Sequence, residues 1–216
     1  MNVQGKKHII LTVLGTGIML WLSAPARASN ERIERHFAVQ GRPVVVIQNM
    51  GDGRIEVKSS KNAEVVVSGT RASDKISIDM EQAGDRIDVN TTVIDASAQP
   101  SERQANLQLT VPEETELQLK TQTGLIYVEQ VTGDMTLESI AGDIHLKEVS
   151  GYIIVTTTGG SLVCTQCAGK LKFESVSGSA QILQPGLTNV NLHTTTGNIL
   201  FDGHFVRTGL YSMKSG

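Results

Sequence analysis

The chain has 216 residues, 39% of them hydrophobic and only 4% aromatic, with 19 Lys and Arg against 22 Asp and Glu for a formal net charge of −3. Its basic residues are scattered singly from Arg32 to Lys214 and form no stripe of the kind that phosphate-backbone binding requires, so nucleic acid is excluded as a partner. Helix-forming periodicity is almost absent, which sets the class as all-β.

The chain opens with Lys6 and Lys7, an apolar run from Ile9 to Leu22, and Ala26-Arg27-Ala28. A basic start, a short apolar stretch and a small-x-small site predict a secretory signal peptide over residues 1–28, cleaved after Ala28. The apolar run is 14 residues, short of the roughly 20 that span a bilayer. No Cys stands at the cleavage point to carry a lipid anchor, and no later segment can span. The expectation is an exported protein, periplasmic or extracellular, that is not an integral membrane protein after cleavage. Cleavage removes three basic residues and leaves 188 residues with a net charge of −6, enough chain to bury a core without staples.

Residues 29–120 predict an irregular, largely antiparallel β region that packs on the first coil of the C-terminal repeats. Its apolar runs include Val44-Val45-Val46-Ile47, Ile55-Glu56-Val57, Val65-Val66-Val67, Ile76-Ser77-Ile78, Ile87-Asp88-Val89 and Leu107-Gln108-Leu109, separated by Asn, Asp, Gly and Pro turn signals. Gly51-Asp52-Gly53 is one such turn, since it lacks the third glycine and the helix of a dinucleotide loop. Asp95 to Ala105, rich in Ser, Ala, Gln and Pro, is expected to be a flexible loop.

Residues 121–216 carry the strongest signal: Gly124, Gly133, Gly142, Gly151, Gly160, Gly169 and Gly178 stand at a spacing of nine, and Gly197 resumes the series 19 residues on. In each unit the second and fourth residues after the glycine are apolar, as in Ile126 and Val128, Met135 and Leu137, or Leu171 and Phe173, and the third and fifth are mostly polar. That alternation is a half-buried strand. The seventh residue is apolar again at Val131, Ile140, Val149 and Val176, which predicts one more inward side chain at each turn. Ser or Thr precedes alternate glycines by three, at Thr121, Ser139, Thr157 and Ser175, with Gln130, Glu148 and Gln166 between them, so the true period is about 18 residues per coil. The fold class predicted is a short β-solenoid, parallel β-helix-like, whose coils bury their faces only by stacking. The slip before Gly197 is read as a loop at Pro185-Gly186.

Candidate chemistry is sparse. Cys164 and Cys167 form C-x-x-C, but they occupy the fourth and seventh places of their unit, where other units put core residues. A structural disulfide in an oxidising compartment is the first reading, with free thiols and redox or metal work as the others. The nine-residue period invites comparison with calcium-binding turns, yet Asp134 and Asp143 alone stand beside the glycine, so no carboxylate row forms. Glycoside hydrolysis needs two carboxylates at roughly 5 to 10 Å, and neither outer face stacks such a pair; Glu129 over Lys147 reads as a surface ion pair. His36, His145, His193 and His204 are dispersed, and Thr156–Thr158 and Thr194–Thr196 read equally as corner hydrogen-bonders or as ligand contacts. No catalytic, metal or cofactor-binding residue is assigned and no cofactor is expected.

The signal peptide, the irregular β half, Leu109-Thr110-Val111-Pro112, and then Thr123-Gly124-Leu125-Ile126-Tyr127-Val128, Val131-Thr132-Gly133-Asp134, Ile140-Ala141-Gly142-Asp143-Ile144 and Val149-Ser150-Gly151 together resemble the bacterial putative-adhesin domain family. The likeness covers most of residues 33–216. It implies an extracytoplasmic β-solenoid serving in adhesion, envelope interaction or envelope-stress response, with no catalytic residues to carry over. The leading expectation is a non-catalytic envelope module whose partner is an envelope protein or glycan, with self-association through the C-terminal coil edge around Thr208 to Gly216 as a further expectation. The rivals are a carbohydrate-active β-helix enzyme and a structural spacer.

Overall fold

The computed structural model describes residues 31–204 and 208–216, so the signal peptide expected over 1–28 lies outside the described residues. Two nine-stranded sheets face each other. The first runs β1 (Glu31–Ala38), β4 (Glu64–Arg71), β7 (Ala105–Pro112), β3 (Ile55–Ser60), β9 (Ile126–Glu129), β11 (Ile144–Lys147), β13 (Leu162–Thr165), β15 (Ala180–Leu183), β17 (Ile199–Asp202). The second runs β5 (Ile76–Ala83), β6 (Arg86–Val93), β2 (Val44–Asn49), β8 (Glu116–Thr121), β10 (Met135–Ser139), β12 (Ser150–Thr157), β14 (Ala168–Ser175), β16 (Gly186–Thr194), β18 (Leu210–Ser215).

From β8 onward the chain alternates between sheets, one strand in each per coil, and all pairing is parallel. Ile144 lies over Ile126 and under Leu162, and Ile153 lies over Met135 and under Leu171. The second and fourth residues of each unit from Ile126 to Ile182 are buried, as the alternation requires, and the core is the slab between the two sheets. Each fully buried Leu, Ile or Phe contributes roughly 1.5–3 kcal/mol, a gain realised only when the neighbouring coil is in place.

The two corners of a coil are built differently, and this corrects the expectation for the seventh residue. Val131 and Val149 are buried, but Ile140 and Val176 are 55% and 53% exposed. At the corner after β10, β12 and β14 the strand alternation simply continues: Ser139, Thr157 and Ser175 point inward, and the next residue therefore points out. Each buried hydroxyl accepts the N–H of the glycine three residues on, at 2.8 Å for Gly142 to Ser139, 2.9 Å for Gly160 to Thr157 and 2.7 Å for Gly178 to Ser175. At the opposite corner Gln130, Glu148, Gln166 and Gln184 adopt left-handed backbone with φ between 49° and 59°. That twist reverses the alternation and turns the following residue inward.

The parallel stack also reaches back past residue 121, further than a largely antiparallel N-terminal region implies. β2 lies parallel between β8 and β6, with Asn49 level with Thr121 and Thr91, and β3 lies parallel between β9 and β7. The coil made by β2 and β3 is thus intercalated between β6–β7 and β8–β9. It fits because Val45 and Ile47 repeat the inward pattern and Asn49 supplies a buried polar group at the hydroxyl corner, where its Oδ1 accepts the Gly51 N–H. Antiparallel pairing is confined to β1–β4, β4–β7 and β5–β6, at the outer end of the stack. The stretch expected to be a flexible loop contains a short 3-10 helix, Pro100–Glu102, tied by Glu102 to the Gln99 N–H and to Lys75, each at 2.8 Å.

The slip before Gly197 is a second correction. Gly186 and Leu187 pair in register with Ala168 and Gly169, and Gln184-Pro185 preserves the left-handed corner. The extra residue is Thr188, a bulge inside β16 whose hydroxyl donates to the Gly169 carbonyl at 3.1 Å. The sequence places the slip near a Pro-Gly pair, but a strand absorbs one residue more cheaply than a buried corner does.

Candidate functional site

The repeat glycines form two columns, one at each corner. A Cβ on Gly124, Gly142, Gly160, Gly178 or Gly197 would lie 1.6–2.1 Å from the carbonyl oxygen of the glycine one coil earlier, and on Gly133, Gly151 or Gly169 within 2.1–2.4 Å of the backbone oxygen beneath. Glycine is required at these points by close approach of stacked backbones, not by turn geometry alone. Cys164 sits in the ladder between Leu146 and Ile182, Cys167 in the inward corner position of Val131 and Val149, and a disulfide joins them across the left-handed Gln166, with 6.0 Å between their Cα atoms. Both are fully buried.

The outward carboxylates Glu129, Glu138 and Glu174, the residue type that glycoside hydrolysis would use, are divided between opposite faces. Glu129 is on the outside of the first sheet, where Lys147 Nζ donates to it at 2.7 Å and Lys58 Nζ lies 3.9 Å away. The hydrogen bond from Lys147 is the main reason its carboxyl is held below the ordinary Glu value. A general acid needs the opposite shift, so this carboxylate is arranged as an ion pair. Glu138 and Glu174 are on the second sheet, two strands apart and each engaged by a lysine, Lys120 at 2.8 Å and Lys172 at 3.0 Å.

The histidines are not brought together either: His36 bridges Glu34 and Glu64 on the first sheet's edge, whereas His145 and His193 point outward from opposite sheets. Asp143 accepts the Ser161 N–H at 2.8 Å, and Asp52 pairs with the Thr123 hydroxyl in the Gly51–Gly53 turn. Thr157 and Thr194 belong to the hydroxyl corner. Among the described residues no group of three His, Cys, Asp or Glu side chains could hold a metal ion.

What the sequence reading missed is a groove on the outside of the second sheet. Its volume is about 640 Å³, and it is lined by Tyr152, Lys170, Lys172, Thr188, Asn189 and Asn191 with the glycines of the left-handed corner. Register explains the convergence: Tyr152, Lys170 and Asn189 form one outward column and Ile154, Lys172 and Asn191 the next. Gly151 and Gly169 leave the corner side without side chains, and the Thr188 bulge shifts Asn189 and Asn191 by one residue into these columns. The 19-residue step to Gly197 is the visible trace of this site, and it points to the bulge only once the strand is paired.

A parallel two-sheet solenoid with a bulged, polar outer groove is the class that fold and site define. The chain belongs to the Toastrack DUF4097 family, which matches it over residues 44–216. The resemblance to putative-adhesin domains agrees with this assignment. No curated protein matches the chain. Solved structures similar to it include a putative cell adhesion protein from Clostridium sporogenes, at 12% identity and a TM-score of 0.46, covering 81% of this chain and 100% of that one. A putative adhesin from Bacteroides fragilis has 10% identity and a TM-score of 0.42, over 82% and 99% of the two chains. A putative lipid binding protein from Parabacteroides distasonis has 12% identity and a TM-score of 0.34, over 80% and 82%.

Proposed function

We propose that this chain is an exported, non-catalytic interaction module of the cell envelope, working through the outer face of its solenoid. The observation that carries the reading is the second sheet: outward columns in parallel register, with a groove in which four polar side chains have no partner among the described residues. Tyr152, Lys170, Asn189 and Asn191 make no side-chain hydrogen bond or ion pair among the described residues. Side chains displayed in this way are available to a second molecule. The leader-like residues 1–28 support export, and no described helix is long and apolar enough to cross a membrane.

The experiment is capture from envelope extracts by the protein purified after export, with a variant carrying charge reversals across the second sheet as the control. A partner retained by the native face and lost by the variant supports the module. A folded protein that retains nothing favours a spacer. Turnover of an envelope polysaccharide that is abolished by Glu129→Gln, Glu138→Gln or Glu174→Gln would overturn the non-catalytic reading in favour of an enzyme.

A further inference from the structure

We propose that the groove across β12, β14 and β16 is a binding site for an acidic saccharide, with Tyr152 as the stacking platform, Lys170 as the carboxylate partner and the amides of Asn189 and Asn191 as hydroxyl ligands. The proposal rests on the interaction-module reading and names the ligand class that this face would take.

Four observations converge on that class. Tyr152 is 45% exposed and stands in an outward column beside Lys170, which stands beside Asn189 in turn. Adjacent strands are about 4.8 Å apart, so the column is about 10 Å long, the reach of a disaccharide. An aromatic ring offers its face to the apolar side of a sugar, and primary amides pair with vicinal hydroxyls as donor and acceptor together.

The charge balance is the second observation. The chain without residues 1–28 carries a net charge of −6, yet the groove is lined by two lysines and no carboxylate. Lys172 is engaged by Glu174 at 3.0 Å, which leaves Lys170 as the open cation. The net negative charge of the chain disfavours an anionic ligand elsewhere more than in this groove, whose lining carries positive charge.

Third, the floor offers nothing to an extended peptide. β12 and β14 are each paired on both sides, and β16 lies between β14 and β18, so no free strand edge is present for main-chain pairing. Recognition has to come from side chains standing on a flat surface, which suits a sugar ring better than an acidic peptide. Fourth, the bulge at Thr188 is local and specific to this coil: β8, β10, β12 and β14 stack without one, and it sets Asn189 beside Lys170. A bulge that re-aims side chains is a common device at binding sites.

The test is an NMR titration of the protein purified after expression of the full chain, using digalacturonate and sialyllactose as acidic probes, lactose as the neutral one and a short polyglutamate peptide as the acidic non-sugar. The expected result is binding of at least one acidic sugar, with shifts centred on residues 151–154, 169–172 and 188–191 and weakening as salt rises. Lys170→Glu and Tyr152→Ala should each lower that affinity by about tenfold or more, whereas Lys147→Gln on the opposite sheet leaves it unchanged. Equal binding of lactose, preferential binding of the peptide, or no binding of either acidic sugar by folded protein each overturns the proposal. Envelope capture run beside it separates the two claims: a partner retained equally by native protein and Lys170→Glu keeps the module and removes this groove, and no partner at all removes both.

Discussion

Gly159 and Gly160 are chain neighbours with opposite tolerance for a side chain. A Cβ on Gly160 would stand 2.0 Å from the Gly142 carbonyl oxygen, and one on Gly159 would meet nothing closer than 3.6 Å. Gly160→Ala is expected to cost more than about 3 kcal/mol, since two stacked backbones must separate, whereas Gly159→Ala stays within about 0.5 kcal/mol; urea unfolding of the two variants checks this. The left-handed corner makes the reverse prediction. Gln166 holds φ at 55°, a region that costs a non-glycine residue roughly 1–2 kcal/mol, so Gln166→Gly should raise the unfolding midpoint slightly and Gln166→Val should lower it. His36 is the titrating residue to watch. Its hydrogen bond to Glu64, at 3.0 Å, is the main cause that raises its pKa above the ordinary value of about 6.5. A raised pKa means that this contribution is fully present below the ordinary value and fades as pH climbs through the raised one. The imidazole should therefore titrate above its ordinary value by NMR, and Glu64→Gln should bring it back down.

At the scale of the strand and corner, the hydroxyls take the part that a turn type plays elsewhere. Thr157→Val keeps shape but leaves the Gly160 N–H without an acceptor in a buried place, for an expected loss of about 1–3 kcal/mol, while Thr157→Ser keeps the bond and most of the stability; thermal melts of both distinguish loss of the hydrogen bond from loss of the methyl. This corner was legible in advance, because Ser and Thr recur every second unit and the inward pairs such as Leu171 and Phe173 follow strict alternation. The exposed positions of Ile140 and Val176 were not legible, because an apolar residue there obeys local composition and only the backbone hand at each corner says which way it points. The intercalated coil was hidden for another reason. Asn49 replaces the hydroxyl, and residues 61–85 separate this coil from β6 while residues 61–115 separate it from β8, so the period that betrays the later coils never forms. The groove escaped similarly: Tyr152, Lys170 and Asn189 are unremarkable apart, and their alignment depends on one bulged residue.

For the whole molecule, nine is the period of the letters but eighteen is the period of the object. Deleting residues 144–161 removes one strand from each sheet and rejoins matching corners, so the product should still fold cooperatively, with modestly lower stability. Deleting nine residues, 144–152, would bring a left-handed corner over a hydroxyl corner and should abolish folding; circular dichroism and denaturant melts of the two deletions tell them apart. The glycine columns give this rule a hereditary side. Because each coil touches only the one before and the one after, and touches them through bare backbone, copying or losing one coil's worth of coding sequence changes the length of the displayed face without redesigning either end. Lineages of such chains are expected to differ by whole coils, and a groove like the one beside Thr188 can arise in a single coil while the rest of the stack carries on unaltered.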